Sequence, residues 1–448
     1  MSNTNAKTSN ALWNFITSSV MGSVLLFIAA ISAIVIANST LSSWYTEMLG
    51  THIDFHICDF YLFTHHGHPM TFLQFVNDAL MAIFFLIVGL EIKRELTIGE
   101  LSTTKKAILP VIAALGGMVI PVLLFWLIVP EGEAMDGLAI PMATDIAFAL
   151  GVLSLLGKRV PLGLKIFLTA LAVVDDLGGI LVIAAFYSSH INYLALLAAF
   201  GVLLLIYIGG RMGVIRKAYY LGLGTIVWWF FSASGIHPSI SGVLVAMMIP
   251  VRAQHDLKRY TASISTLIGV MKQTIINDKR ETPMLNHEQF NIIERIKEET
   301  RQAVSPLQSI AEMLEPMVNF LILPLFAFVN AGIAMGEVGA SELMGLPLAI
   351  FCGLFFGKAL GIFSFSWASI RLGWTDKPKG VTLKSLFSVS ILGGIGFTVA
   401  LFISALSFGD TNEHLLNLAK IGIFSGSFIA GIVGYITLLI TLPKTSQS

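Results

Sequence analysis

Three carboxylates stand where a polypeptide rarely tolerates them. Asp175 and Asp176 are adjacent at the midpoint of the apolar run 162–187, in LAVVDDLGG, and Asp145 lies inside a second run, in AIPMATDIAFALG. One cation, Lys358, sits in mid-run in FFGKALG. A charge at the centre of a membrane helix costs roughly 2.5–3.5 kcal/mol on insertion scales. Two adjacent carboxylates therefore need protons, a cation, water or the lysine beside them, and one lysine cannot neutralise both. Their oxygens suit a hard cation, whose water they can replace. The same oxygens accept protons, and the two groups titrate as one coupled unit. Protons and a cation then compete for one site. Lys358 has a purely architectural reading as well, as the packing partner of Asp175 or Asp176.

The backbone around these residues is interrupted. Pro141 lacks an amide hydrogen and restricts the residue before it, so a helix broken around Met142–Asp145 is expected. A second break is expected in ILGGIGFTVALF, where Gly393, Gly394 and Gly396 precede Thr398. Free carbonyls and amides at membrane depth are tolerated only where they line a cavity or bind an ion. Other charges have milder readings. Asp78 lies near the end of its apolar run, where an interfacial carboxylate is tolerable. Glu91 and Glu95, one helical turn apart beside Lys93 and Arg94, fit surface charge, and Lys165 and Lys420 lie near run ends, where they can snorkel to the interface.

These residues require helices to carry them. The 448-residue chain is 55% hydrophobic and only 12% charged, against about 25% charged in soluble domains, and its mean hydropathy is +0.82. The class is an all-α integral membrane protein set in a lipid bilayer. Apolar runs of near-spanning length, ~20 residues, predict twelve spans: 19–37, 72–92, 109–128, 138–157, 162–187, 193–209, 218–233, 237–250, 317–335, 346–370, 384–407 and 415–442. With the N-terminus in the cytoplasm, the outside loops 38–71, 129–137, 188–192, 234–236, 336–345 and 408–414 contain no Lys or Arg. That positive-inside pattern supports twelve spans with both termini cytoplasmic. The layout is a tail 1–18, spans one to eight in 19–250, a charged insertion 251–316, spans nine to twelve in 317–442, and a tail 443–448. The insertion holds nine of the 27 Lys+Arg and nine of the 27 Asp+Glu. Its apolar spacing, Ile264, Leu267, Ile268, Met271 and then Phe290, Ile293, Ile296, predicts one or two amphipathic cytoplasmic helices. Outside, the alternation over 51–64 predicts a small β-hairpin.

Composition also excludes. Zero net charge gives a nucleic-acid role no electrostatic support. Cys58 and Cys352 suggest neither a disulfide framework nor a metal knuckle. His52, His56, His65, His66 and His68 are numerous, but on a strand or loop their spacing has little meaning for a metal. A sodium-coupled nutrient symporter would need a roomier polar site than these few midplane side chains supply. An intramembrane aspartyl protease would need its two aspartates on separate helices.

TDIAFALG, LAVVDDLGG, NDALMAIFFLIVGLEIKREL, LPLFAFVNAG, GKALGI and GGIGFT, in this order from about Gly22 to Tyr435, resemble the NhaA-type sodium/proton antiporters. The resemblance implies a non-enzymatic secondary transporter of the bacterial inner membrane with no cofactor. It would extrude Na+, and Li+ with it, against a larger number of entering protons, at alkaline pH, as a homodimer. Interrupted segments in spans four and eleven would cross at the midplane of inverted-topology repeats, a rule drawn in part from these antiporters themselves. By resemblance Asp176 is the principal sodium ligand. Asp175 pairs with Lys358 and releases on exchange, and Thr144 and Asp145 face the half-helix ends. Glu91, Glu95 and His237 belong to the pH response, and Asp78 matches a further acidic position. One departure stands out. Where many members have Leu-Glu-His-x-Leu-His-Pro after a short loop, this chain has IAEMLEP after a long insertion, with Ala311 in place of that glutamate.

Overall fold

The computed structural model describes residues 19–443 except 54–55, 58–59, 62–63, 66–67, 188–190, 278–283, 335–338, 340 and 410–411. The tails expected at 1–18 and over most of 443–448 thus lie outside the described residues. Among the described residues the structure is helical apart from two two-residue antiparallel ladders, β1 (His56–Ile57) with β2 (Phe60–Tyr61) and β3 (Thr64–His65) with β4 (His68–Pro69), and one antiparallel bridge, His52 to Thr71. The segment expected to form one hairpin over 51–64 carries the first ladder and part of the second. The residues between their strands are not described.

The helices follow the apolar runs. In chain order they begin with α1 (Ser19–Ala37), α2 (Ser42–Gly50), α3 (Phe72–Thr97) and α4 (Thr104–Ile128). A 3₁₀ segment, Glu133–Met142, precedes α5 (Ile146–Leu155), α6 (Leu162–Phe186), α7 (Tyr193–Arg211), α8 (Lys217–Ser234) and α9 (Ile240–Met248). Then come α10 (Leu257–Asn277), α11 (His287–Ala303), α12 (Pro306–Asn330), α13 (Glu342–Arg371), α14 (Leu383–Leu392), α15 (Phe397–Phe408) and α16 (Glu413–Thr441). Among the described residues, seven helices are long and apolar enough to cross a membrane, and ten if each sharply bent pair counts as one span. The two expected spans left over are α8 and α9. Tyr and Trp residues lower the hydropathy of α8. The nine residues of α9 rise only about 14 Å at 1.5 Å each, because Pro238 and Pro250 bracket it.

One boundary moves. The helix expected from 317 begins at Pro306, so the last turns of the 251–316 insertion belong to α12. Ser305 caps it, accepting from the Gln308 N–H, and Pro306 takes the first helical position, where its missing N–H costs nothing. This first stretch is amphipathic, with Leu307, Ile310 and Leu314 buried, so a hydropathy window passes over it. α10 and α11 occupy the rest of the insertion and pack on each other.

Three π-helical turns interrupt spans: Val76–Leu80, Val318–Ile322 and Gly353–Gly357. The first carries Asp78 and the third ends at Lys358. Such turns are rare and concentrate at functional sites. Close approach of α4 and α13 fixes where Lys358 sits. A Cβ at Gly361 would lie 2.1 Å from the Gly116 carbonyl, and one at Gly116 2.3 Å from the Gly361 carbonyl. Only glycine lets these backbones touch.

Candidate ion site where two helix breaks meet

The chain breaks where Pro141 and the glycines of 393–396 stand. The 3₁₀ segment and α5 meet at a 42° bend, and α14 and α15 at 43°. At the first break Ala143 and Asp145 have extended backbones. At the second, Gly393–Gly396 runs against α13, and a Cβ on Gly394 would meet the Leu354 carbonyl at 2.3 Å. The two breaks touch: the Asp145 N–H donates to the Ile395 carbonyl (2.6 Å).

Each broken end leaves amides or carbonyls without helical partners. Asp145 serves two helix starts at once. Its Oδ1 accepts from the Phe148 N–H (2.9 Å), capping α5. Its Oδ2 accepts from the Thr398 N–H (3.1 Å) and hydroxyl (2.6 Å), capping α15. Ser427 Oγ takes the Gly396 and Phe397 N–H groups (3.2 Å each). A carboxylate facing two helix N-termini is electrostatically favoured, since each carries a partial positive charge. The end of α14 is linked to a cation through a hydroxyl. Thr144 Oγ1 is shared between Asp175 Oδ2 (2.7 Å) and the Gly393 carbonyl at the end of α14 (3.1 Å), and it accepts from Lys358 Nζ (2.7 Å).

Asp145→Ala is expected to destabilise the protein strongly. It strips the acceptor from two amides and a hydroxyl, and a buried polar group left unmade costs about 1–3 kcal/mol. Asp145→Asn keeps one acceptor oxygen and should fall between Ala and wild type. Thermal unfolding of the purified protein in detergent gives this ranking; an Ala variant melting with wild type would refute the double-cap assignment.

Asp175 and Asp176 follow one another on α6, and helical geometry turns their side chains about 100° apart. Asp175 is wholly enclosed: Lys358 Nζ donates to its Oδ2 at 2.6 Å, with both side chains fully buried. Its Oδ1 has no hydrogen-bond partner. Asp176 instead lines a cavity of about 270 Å³ together with Asp145, Thr144, Thr398, Glu91 and Glu315. Among the described residues no side chain hydrogen-bonds its carboxylate. Lys358 thus compensates Asp175 and leaves Asp176 to face the cavity.

The remaining candidates separate. Glu91 lies on the cavity wall and pairs with Arg94 (3.3 Å). Glu95 turns away, accepting from the Glu100 N–H (2.9 Å) and supporting the turn after α3. His237 lies outside the lining of this cavity: its Nε2 is 3.5 Å from Asp78 Oδ1 and its Nδ1 2.7 Å from Ser239 Oγ. Asp78, expected at an interface, is buried beside it. Both line a second cavity of about 750 Å³. Lys420 lines this cavity too and does not snorkel: it is 8% exposed and donates to the Gly332 carbonyl (2.9 Å). The Phe402 ring lines the second cavity. It packs on Phe85 (5.3 Å), His237 (5.4 Å) and Phe326 (6.3 Å), and Thr398, one turn before it, belongs to the first cavity.

Sequence reasoning passed over Ser427 and the reciprocal amide pair Asn77–Asn330 (2.7 and 3.2 Å). The signal available was simply a polar residue in an apolar run, and for Asn330 its place in LPLFAFVNAG.

A helical membrane protein in which two breaks touch, one aspartate caps the helix starts at both, a buried lysine pairs with a second aspartate and a third aspartate is open to a cavity fits an ion transporter. The sequence comparisons agree. The profile of the Na+/H+ antiporter 1 family matches residues 13–438, and the chain belongs to that family. It is similar to the Na(+)/H(+) antiporter NhaA of Parabacteroides distasonis, 50% identical over 425 residues and 94% of each chain. The protein of the same name from Bacteroides fragilis is 49% identical over 432 residues, 96% of this chain and 98% of the relative. That from Helicobacter pylori is 42% identical over 439 residues, 97% of each.

Proposed function

We propose that the protein exchanges Na+, and Li+ with it, for a larger number of protons, electrogenically, by alternating access to the Asp176 site. The observation that carries this reading is the division of labour within the aspartate pair. Asp176 presents an unengaged carboxylate to the Glu91-lined cavity, while Asp175 is held by Lys358 and Thr144. A cation entering that cavity meets Asp176 and, once Lys358 lets go, Asp175, with Thr144 and backbone carbonyls of the breaks close by. Protons replace it on the same oxygens. Asp145 holds the crossing together as the charge between the two helix starts. In this reading the Phe402 cluster, which lines the second cavity, is the gate on that side, and alternating access opens the site to one side at a time. No cofactor enters this scheme, because the ions themselves are the cargo.

The rest of the reading follows. Spans four and eleven are the two broken helices of inverted-topology repeats in a twelve-span bundle, with α8 and α9 as spans seven and eight. In this reading the basic loops, both termini and α10–α11 face the cytoplasm of a bacterial inner-membrane protein, and the hairpin expected at 51–64 serves a homodimer. Na+ needs ionised carboxylates, so exchange falls as protons win the site at acid pH and is favoured at alkaline pH. Glu91, with Glu315 opposite, is placed to sense that pH in the absence of the family's glutamate at Ala311; Glu95 and His237 act on it from farther off.

The test uses everted membrane vesicles with a dye reporting ΔpH, adding Na+, Li+ or K+ from neutral to alkaline pH under clamped membrane potentials. Na+ and Li+ should each collapse a preformed ΔpH, K+ should not, and the rate should respond to the potential. Exchange indifferent to the potential would remove the electrogenic mechanism. Failure of Na+ alone to collapse ΔpH would remove antiport altogether.

A further inference from the structure

The two helices of the insertion differ in how their charges and apolar groups are disposed. α11 carries Glu288, Glu294, Glu298 and Glu299 against Arg295, Lys297 and Arg301. Two internal ion pairs, Lys297–Glu294 (3.4 Å) and Arg301–Glu298 (2.5 Å), take up part of this charge. α10 has no acidic residue in 21 positions, and its Lys258, Arg259 and Lys272 join no ion pair among the described residues. α10 also exposes large apolar side chains. Leu257, Ile268 and Ile275 are 74%, 45% and 55% exposed, and spacings of 11 and 18 residues bring them within about 20° of one another at 100° per residue; Ile276 (76%) and Val270 (45%) are exposed off this line. Lys258 and Lys272 flank that stripe on one side. Tyr260, Ile264, Leu267 and Met271, more covered, occupy the neighbouring face.

The base of this hairpin is tied to the membrane bundle. The Gln254 side chain donates to the Gly213 carbonyl in the turn between α7 and α8. The Gln254 and His255 N–H groups donate to the Gln302 carbonyl (3.1 and 3.0 Å), and His255 meets Glu299 at 3.1 Å. α10 starts two residues after His255, capped by Asp256, which accepts from the Arg259 N–H (2.9 Å). Its first turn therefore lies close to the turn holding Arg211, Arg216 and Lys217, where a membrane span ends.

We propose that α10 is an interfacial helix, laying the Leu257–Ile268–Ile275 stripe into the anionic headgroup region of the membrane with Lys258 and Lys272 on its phosphates. A basic helix without an ion pair among the described residues, three of whose exposed apolar side chains share one line, has the charge and shape of a membrane-surface helix. Lysine stems reach headgroups while their carbons cover the acyl boundary. Phosphate is the complementary charge: among the described residues no carboxylate of α11 forms an ion pair with these lysines. The inference depends on the chain being embedded in a bilayer and on nothing about which ion it carries.

The experiment uses the full chain with Cys58→Ser and Cys352→Ser, reconstituted in vesicles of phosphatidylglycerol and phosphatidylethanolamine. A single cysteine at Ile268 or Ile275 carries an environment-sensitive dye, and one at Gln273 serves as the polar-face control. Nitroxide-labelled phospholipid should quench 268 and 275 well beyond 273, and aqueous iodide should do the reverse. Combined Lys258→Gln and Lys272→Gln should lower the docked fraction, with the equilibrium shifting on the order of tenfold, and pure phosphatidylcholine should act in the same direction. Na+-driven ΔpH collapse in the labelled proteins reports separately on transport. Iodide quenching 268 as strongly as 273 would overturn the proposal in favour of a solvated helix. Protection of 268 and 275 from both quenchers would overturn it in favour of a protein contact.

Discussion

Replacing Asp176 with Asn is expected to abolish Na+-driven proton movement while leaving the protein folded. The substitution conserves shape and removes one thing, the charge that the cavity presents. Among the described residues no donor loses its acceptor, because no side chain hydrogen-bonds that carboxylate. The melting temperature should stay at the wild-type value. The loss of ion binding is large. A unit charge pair at 4 Å is worth about 4 kcal/mol at an effective dielectric constant of ~20, and 1.4 kcal/mol is tenfold, so affinity falls on the order of a thousandfold. Everted vesicles bearing the Asn variant should show no dye response at Na+ concentrations that saturate the wild type. Asp176→Glu, which keeps the charge on a longer stem, should retain exchange with a shifted Na+ to Li+ preference. Wild-type exchange in the Asn variant would remove Asp176 from the site.

Much of this site is legible in the residues themselves, because charge in an apolar run has few harmless explanations. The mid-span placement of Asp175, Asp176 and Lys358 and the breaks at Pro141 and Gly393–Gly396 are composition and position, both one-dimensional. Which neighbour of an adjacent pair faces the cavity is not. Asp175 and Asp176 differ by a 100° turn of α6, and only the approach of α13, permitted by Gly116 and Gly361, decides that Lys358 reaches Asp175. The same holds for Glu91 and Glu95. They share a helix face by spacing, yet one turns into the cavity and the other back to the Glu100 amide. Hydropathy misjudges where an amphipathic turn begins a span, as at Pro306, and where prolines shorten one, as in α9. It also places Lys420 at an interface by counting residues from the span end. The side chain bends inward instead, to a carbonyl just past the end of α12.

Removing Lys358 alone should damage the protein more than removing it together with the charge it serves. In Lys358→Ala, Asp175 stays fully buried with only the Thr144 hydroxyl to meet it, and an uncompensated buried charge of this kind costs about 3–5 kcal/mol. Lys358→Met combined with Asp175→Asn takes both charges away and leaves side chains of similar volume, which is often neutral for stability. Melting in detergent should therefore drop sharply in the single variant and return most of the way in the double one. The double variant also isolates the proton count. With Asp175 and Lys358 both unable to titrate, Asp176 is the one aspartate of the pair left to bind either a proton or Na+. Exchange should continue as one proton for one Na+, and the net charge moved per cycle becomes zero. A potential clamped across the vesicles should then leave the rate of Na+-driven ΔpH collapse unchanged, whereas it shifts the rate of the wild type. Continued potential dependence in the double variant would place the second proton elsewhere, and Glu91, the remaining acid on the α3 wall of the cavity, would be the next residue to neutralise.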